Sequence, residues 1–156
     1  VEYLGYPDAY LTPSLELRKD ITREIRRHKP DVLITTAPFR TLGQNYGSSH
    51  PDHIAAGEAA LSSVYPTARD RLTFPELLDE GFEPHKVREV WVMSREDADH
   101  FNDISEEDME TALKALAAHT SQVPPEAIER VRAWKSENGK AHNMKYAESF
   151  RTFTLR

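Results

Sequence analysis

The octapeptide at residues 29–36, Lys-Pro-Asp-Val-Leu-Ile-Thr-Thr, decides the fold class of this chain. Residues 32–36 are mostly apolar or β-branched and form a run too short for a helix, which predicts a buried strand of the parallel type. A helical pattern precedes this run, because Ser14 follows Thr-Pro and apolar residues then recur every four positions to about His28. A helix followed by a strand is half of a βαβ repeat, so we expect an α/β protein.

The same patterns extend along the rest of the chain, which shows no internal repeat, low-complexity tract or linker. Pro51 suits the first turn of a helix whose N-cap is Ser49 or His50, and a long loop at residues 38–49 precedes it. The expected strands are residues 1–6, 32–36, 87–93 and 150–155, and the expected helices are residues 14–28, 51–65, 105–121 and 125–138, with a helical turn at 74–78.

Composition excludes several classes of protein. The length of 156 residues fits one domain, and 20 basic against 26 acidic side chains give a net charge of −6, which argues against nucleic acid as a partner. No apolar run reaches the roughly 20 residues of a membrane span, so we expect no membrane partner. The chain has no cysteine, which fits a cytoplasmic protein and leaves only His, Asp and Glu as metal ligands.

Two of the seven histidines are close together, in the sequence Ser49-His50-Pro51-Asp52-His53. A spacing of three on the first turn of a helix places both imidazoles on one face, where they can bind zinc with Asp52 as ligand, base or supporting group. The site would follow the carboxyl end of a strand, where α/β sheets bind ligands. The alternative is that His50 only caps the helix and His53 packs or faces water, since the spacing reveals no third ligand.

Other candidate residues have equally plain structural interpretations. Asp103 could be a loop carboxylate near the same end of the sheet, or it could belong with Ser105 to a helix cap. Tyr3, Tyr6 and Tyr10 could line a cleft or pack within a strand. The sequence contains no glycine-rich phosphate loop and no Gly-x-Ser-x-Gly elbow, which disfavours a nucleotide-binding protein and a serine hydrolase.

Several of these segments occur in the same order in a known family. Residues 4–8 (Leu-Gly-Tyr-Pro-Asp), 29–35, 50–53 and 55–57 resemble the LmbE-like, or PIG-L, de-N-acetylases, and residues 74–78, 84–90 and 118–122 extend the similarity. The resemblance implies a Rossmann-like, three-layer α/β/α fold with a mostly parallel sheet. It also implies a metal-dependent enzyme, with zinc the expected ion, that hydrolyses an N-acetyl or other N-acyl amide on an amino-sugar-type conjugate.

The resemblance also assigns roles to the motif at residues 50–53. His53 corresponds to a zinc ligand of the family, although another divalent ion such as iron would accept the same ligand types. His50 corresponds to a catalytic histidine beside the substrate carbonyl, which as an imidazolium would stabilise the oxyanion or donate a proton. Asp52 corresponds to the acidic neighbour that supports this pair, and it is the second catalytic candidate. No binding residues for an organic cofactor are implied.

The family's first motif, His-Pro-Asp-Asp, does not occur in residues 1–156, and it supplies the remaining ligands and the general base. Ala37 and Ile54 also stand where many members carry an acidic residue and an arginine. We therefore expect residues 1–156 to be the C-terminal two thirds of a single LmbE-like deacetylase domain, incomplete at the N-terminus and inactive alone.

Partner expectations follow from that interpretation. An incomplete sheet would pair with the N-terminal segment or form a homo-oligomer. The alternative function is a truncated, non-catalytic module that binds a glycoconjugate or a partner chain.

Overall fold

The computed structural model describes residues 1–40, 50–93 and 97–156. Within these ranges the chain forms an α/β structure around one four-stranded sheet with the order β1-β2-β4-β3. The helices are α1 (Leu15–His28), α2 (Pro51–Ser62), α3 (Glu76–Asp79), α4 (Glu106–Ala117) and α5 (Pro125–Lys140), and the strands are β1 (Val32–Thr35), β2 (Glu89–Met93), β3 (His100–Asp103) and β4 (Ala147–Thr154).

The sheet combines both kinds of strand pairing. β1 runs parallel to β2, with Val32 opposite Glu89, whereas β3 runs antiparallel to β4, with His100 opposite Phe150. The predicted α/β class is confirmed, and the parallel pair includes the strand predicted at residues 32–36. The expectation that this strand is buried is wrong for Val32 and Ile34, which are exposed. The sheet is mixed, because β3 and β4 add an antiparallel pair.

The chain divides into two compact units, each with its own apolar core. Unit 1 comprises Val1–Met93 and Thr152–Arg156, and unit 2 comprises Ser94–Arg151. The buried core of unit 1 consists of Ile25, Val64, Ala68, Val87, Val90 and Val92, and that of unit 2 consists of Met109, Leu113 and Tyr146. Across the described ranges, no helix has the length and hydrophobicity needed to cross a membrane.

The first helix begins and ends where its sequence signals predict. The Ser14 hydroxyl accepts a hydrogen bond from the backbone N–H of Leu17 at 3.2 Å, which satisfies one unpaired donor of the first turn. At the other end Lys29 adopts a left-handed conformation with φ 50°, and its N–H donates to the carbonyl of Ile25. Pro30 then prevents continuation of the helix, so β1 starts two residues later.

The expected strand at residues 1–6 is wrong, because this segment forms no regular secondary structure. Gly5 has φ 75°, a conformation outside the extended region, and Val1 and Tyr3 are exposed. The apolar and aromatic residues of the segment resemble a strand, but the left-handed glycine breaks it. Conversely, β3 was not predicted, because its sequence, His-Phe-Asn-Asp, lacks the alternation by which a short strand is recognised.

Several element boundaries also differ from expectation. α2 ends at Ser62, because a wider turn at Ser63–Thr67 contains Tyr65 in an extended conformation before Pro66. α4 ends at Ala117 rather than near residue 121, and β4 begins at Ala147 rather than at residue 150. α5 continues through Gly139, where a Cβ atom would lie 2.5 Å from the carbonyl oxygen of Met144.

Gly57 allows α2 to approach the end of β1 very closely. A Cβ atom at this position would lie 2.5 Å from the carbonyl oxygen of Thr36 and 3.1 Å from the carbonyl carbon of Ala37. Both atoms belong to backbone, which cannot rotate away as a flexible side chain can. The absence of a side chain at Gly57 therefore fixes α2 against the chain that leaves β1, and with it the first turn of α2.

A buried arginine connects α1 to the segment after α2. Arg26 is only 1% exposed, and burial lowers the pKa of its guanidinium below the ordinary value. In the described residues its hydrogen bonds go only to backbone carbonyls of the segment that follows α2. This segment therefore curves around the guanidinium group. The acceptors are Thr67 at 2.8 Å, Ala68 at 3.2 Å, Asp70 at 2.7 Å and Thr73 at 3.2 Å.

Replacing this arginine should be costly. Arg26→Ala should lower the free energy of unfolding by about 3 kcal/mol or more, because it leaves several carbonyl groups without their donor. The exposed neighbour Arg27, paired with Glu24, provides the control, and Arg27→Ala should change stability by less than about 1 kcal/mol. Urea denaturation of both variants measures the difference, and equal losses would contradict the structural role of Arg26.

Adding one methyl group at Gly57 should also destabilise the protein. Alanine favours a helix over glycine by about 1 kcal/mol, but overpacking against fixed backbone costs about 1–3 kcal/mol. We therefore expect Gly57→Ala to lower the melting temperature, whereas Glu58→Ala on the exposed face of α2 should leave it nearly unchanged. A Gly57→Ala variant more stable than the natural protein would show that α2 does not need this approach.

Candidate functional site

The candidate site lies at the N-terminus of α2, in unit 1. His50 is the N-cap residue, with φ −59° and ψ 133°, and Pro51 occupies the first helical position. The Nδ1 atom of His50 accepts a hydrogen bond from the backbone N–H of Asp52 at 3.2 Å. Of the two predicted caps, His50 is the one the structure shows, while residues 41–49, with Ser49 and most of the predicted loop, lie outside the described residues.

The structure brings the two predicted histidines together on the first turn of α2. The ring centroids of His50 and His53 are 5.4 Å apart, and the ring planes are tilted by 48°. His50 is half-buried and His53 is exposed. The carbonyl of His53 accepts a hydrogen bond from the Thr36 hydroxyl, so the turn is attached to the chain that follows β1.

The hydrogen bond to Nδ1 identifies the acceptor nitrogen of the His50 ring. An acceptor nitrogen carries no proton, so the proton of this imidazole lies on Nε2, which is a donor in the neutral ring.

Asp52 uses its carboxylate to hold another part of the chain. Its Oδ2 atom accepts from the N–H of Ala9 at 2.7 Å, and its Oδ1 atom accepts from the N–H of Leu11 at 3.2 Å. Both oxygens are therefore engaged with backbone donors about 40 residues away in sequence. The acidic neighbour of the histidine pair attaches the N-terminal segment to the first turn of α2.

A catalytic zinc ion takes three protein ligands and a water, so the metal-binding side chains near α2 must supply three ligands. In residues 1–40, 50–93 and 97–156, no group of three or more His, Asp or Glu side chains is arranged to hold a metal. His50 and His53 supply two imidazoles, while both carboxylate oxygens of Asp52 already accept backbone hydrogen bonds. These residues alone do not fit a complete zinc site.

The three tyrosines of the N-terminal segment lie in different environments. The Tyr6 hydroxyl donates to Asp20 of α1 at 2.8 Å, whereas Tyr3 and Tyr10 are 89% and 81% exposed. Burial, followed by this hydrogen bond to the Asp20 carboxylate, raises the pKa of Tyr6 to about 12. Packing within a strand is excluded for all three, because residues 1–6 form no strand and Tyr10 lies outside any strand.

Asp103, the other acidic candidate from the sequence, lies in unit 2. Asp103 is the last residue of β3 rather than a loop carboxylate. Ser105 caps α4, since its hydroxyl accepts from the N–H of Asp108 at 3.1 Å, which confirms the capping interpretation for Ser105.

Sequence reasoning missed the contacts that join distant segments at this site. The backbone N–H groups of Ala9 and Leu11 and the hydroxyl of Thr36 all contact the first turn of α2. Backbone donors carry no side-chain signature, and contacts over 17 to 43 residues have no periodicity. One weak signal existed, since an acidic residue in a first helical turn is also a good acceptor for nearby N–H groups.

Comparison with known proteins identifies a similar family and a similar enzyme. Residues 1–64, which include α1, β1 and the histidine pair, match the family model described as PIG-L: GlcNAc-PI de-N-acetylase. This match agrees with the family resemblance found in the sequence. The chain is 28% identical over 155 residues to diacetylchitobiose deacetylase of Thermococcus kodakarensis, a match that covers 97% of this chain and 55% of that protein.

Solved structures, one of them that of a deacetylase, are also similar to this chain. The inhibitor complex of N,N'-diacetylchitobiose deacetylase from Pyrococcus horikoshii superimposes with a TM-score of 0.82 at 28% identity, covering 97% of this chain and 56% of the other. The conserved protein TT1542 from Thermus thermophilus shares the fold, with a TM-score of 0.76 at 24% identity over 98% of this chain and 65% of its own. The chain thus spans little more than half the length of the deacetylases it matches.

The raised pKa of Tyr6 gives a prediction for alkaline solution. A pKa raised from 10 in the unfolded chain to about 12 in the folded one means that the stabilisation is complete below pH 10 and is lost as the pH rises through about 12. Between these values the natural protein should lose more stability than Tyr6→Phe does. Denaturation of both proteins across this pH range measures the difference, with Tyr3→Phe as the control for loss of an exposed phenol. Identical pH dependence in all three would contradict the Tyr6–Asp20 contact.

Proposed function

We propose that the protein containing this chain hydrolyses the N-acetyl group of an amino-sugar conjugate in a metal-dependent reaction, with zinc as the expected ion. The PIG-L relationship and the two diacetylchitobiose deacetylases support this class of reaction and substrate. In the reaction, water adds to the amide carbonyl, the C–N bond breaks, and a free amine and acetate are formed.

The observation that carries this proposal is the His50–His53 pair on the first turn of α2, next to the chain that leaves the carboxyl end of β1. In open α/β sheets, ligands bind outside the carboxyl ends of the parallel strands. A position near this end of the sheet supports a role of the pair in substrate binding. Its rings are half-buried and exposed, respectively, so a substrate amide can reach them.

His50 is the proposed catalytic residue of this chain. Because Nδ1 accepts the Asp52 N–H, the Nε2–H group is available to donate to the carbonyl oxygen of the substrate amide. Negative charge develops on that oxygen as water adds to the carbonyl, so a donor fixed by the helix cap stabilises the transition state more than the ground state. The cap thus orients the ring before substrate arrives.

His53 is the proposed metal ligand of this chain. Its ring is exposed on the same turn, and imidazole is a common ligand of zinc and of other divalent ions. Since the described residues do not complete a zinc site, the other ligands would have to come from outside them. A location in the cytoplasm, the placement of the chain in the C-terminal two thirds of one deacetylase domain, and pairing or oligomerisation stay predictions.

Metal content and acetate release test the proposal together. The natural full-length protein should bind zinc and release acetate from N,N'-diacetylchitobiose. His53→Ala should lower activity by about 100-fold or more, since even groups that only support a ligand contribute roughly 10- to 100-fold. His50→Ala should lower kcat by about 100-fold or more but keep the metal. Metal analysis and amine-release kinetics provide both measurements.

His28 supplies the matched control, because it is 60% exposed at the end of α1 and is paired with Glu24. His28→Ala should leave metal content and activity unchanged. Normal metal content in His53→Ala would refute its role as a ligand. A protein that binds N,N'-diacetylchitobiose but releases no acetate, with or without zinc, would instead favour the non-catalytic binding module.

A further inference from the structure

The contacts of Asp52 point to a role in unit 1 that the sequence motif does not suggest. We call residues 7–11 the tyrosine turn, since Tyr10 lies within it and the N–H of Tyr10 donates to the carbonyl of Pro7 at 3.4 Å. The carboxylate of Asp52 accepts the N–H groups on both sides of Tyr10, from Ala9 at 2.7 Å and from Leu11 at 3.2 Å. Asp52 thus holds the backbone that carries Tyr10.

The turn needs such an anchor, because its backbone is strained. Ala9 has φ 67°, in the left-handed region, which is unfavourable for a residue with a Cβ atom. A short hydrogen bond from the Ala9 N–H to a carboxylate is charge-assisted and is therefore stronger than a neutral one. The interaction with Asp52 offsets the unfavourable conformation and selects it.

A second contact restrains the approach to the turn. The Tyr6 hydroxyl donates to Asp20 of α1, immediately before the turn begins, and Leu11 at its end is half-buried. The backbone of the turn is consequently held at both ends, whereas the ring of Tyr10 is 81% exposed. A large aromatic side chain on a fixed backbone, with its ring open to solvent, has the properties of a contact surface for a ligand.

Asp52 also connects this turn to the histidine pair. The same residue that accepts the two N–H groups of the turn donates its own N–H to Nδ1 of His50. Asp52 is therefore hydrogen-bonded directly to His50 and to the two residues that flank Tyr10.

We propose that Asp52 is a positioning residue that fixes the tyrosine turn, and that Tyr10 contacts the sugar ring of the substrate beside His50. The inference rests on the proposed deacetylase function for the identity of the ligand. The C–H face of an N-acetylated pyranose is apolar and packs on an aromatic ring, while the hydroxyl of Tyr10 remains available for the polar groups of the sugar. Asp52 acts through the turn, since both of its oxygens accept backbone hydrogen bonds.

The test combines a structural and a functional measurement on the natural full-length protein. Asp52→Asn replaces one acceptor by an amide N–H₂ group that faces a backbone N–H. We expect it to increase amide hydrogen exchange at Ala9 and Leu11 by about 10-fold or more, the effect of losing roughly 1.4 kcal/mol of local stability. Exchange at the start of α5, in unit 2, should not change.

Tyr10 is tested with the disaccharide N,N'-diacetylchitobiose. Tyr10→Ala should raise Kd and KM by about 10-fold with little change in kcat, because the variant loses the aromatic ring on which the sugar packs. Tyr10→Phe should retain most of the affinity. Asp52→Asn should raise KM similarly, and the double variant Asp52→Asn/Tyr10→Ala should be no weaker than Tyr10→Ala alone, because both changes remove one contact.

Three outcomes would overturn the inference: unchanged exchange at Ala9 and Leu11 in Asp52→Asn, unchanged Kd in Tyr10→Ala, or fully additive effects in the double variant. An altered pH profile of kcat in Asp52→Asn with normal exchange would assign Asp52 to catalysis instead. If the natural protein releases no acetate but Tyr10→Ala weakens binding of the disaccharide, the proposed activity fails and the role of Tyr10 stands.

Discussion

The close approach of α2 to the end of β1 is the constraint on which the candidate site depends. Gly57 has no side chain, so the helix contacts the backbone of Thr36 and Ala37 at a distance that excludes any Cβ atom. The Thr36 hydroxyl then reaches the carbonyl of His53 in the first turn of the same helix. Two contacts, one to the middle and one to the start of α2, thus fix the direction of the helix relative to β1. These two contacts also determine the position of the histidine pair.

Around this contact, unit 1 is held together by polar groups as much as by its apolar core. Arg26 joins α1 to the segment after α2, and Asp52 joins α2 to the tyrosine turn. In both cases a charged side chain binds backbone groups rather than an opposite charge. Such contacts secure irregular segments, which have no hydrogen-bond ladder of their own and would otherwise leave polar groups without partners. These two irregular segments of unit 1 are consequently fixed to its helices.

Local signals predicted the elements of the fold and the members of the site, but not the contacts between them. Ser14 and Pro30 mark the ends of α1 by direct stereochemistry, and the apolar run of β1 indicates a strand whatever its neighbours are. The strand predicted at residues 1–6 is absent because a count of apolar residues does not account for the conformational freedom of Gly5. The histidine pair was visible from its spacing, whereas the clamp from Asp52 to Ala9 spans 43 residues and depends on the tertiary fold.

The cap at His50 gives one side chain two roles, the stability of α2 and the proposed reaction. One ring nitrogen completes the first turn of α2, and the other is the proposed donor to the substrate. A substitution that removes the proposed donor therefore also weakens the helix, unless the new side chain is itself a good cap such as Asn, Asp or Ser. Descendants of this protein that lose activity but keep the fold should carry one of those three residues at position 50. Helix-capping preference, rather than catalysis, would then determine which inactive sequences survive.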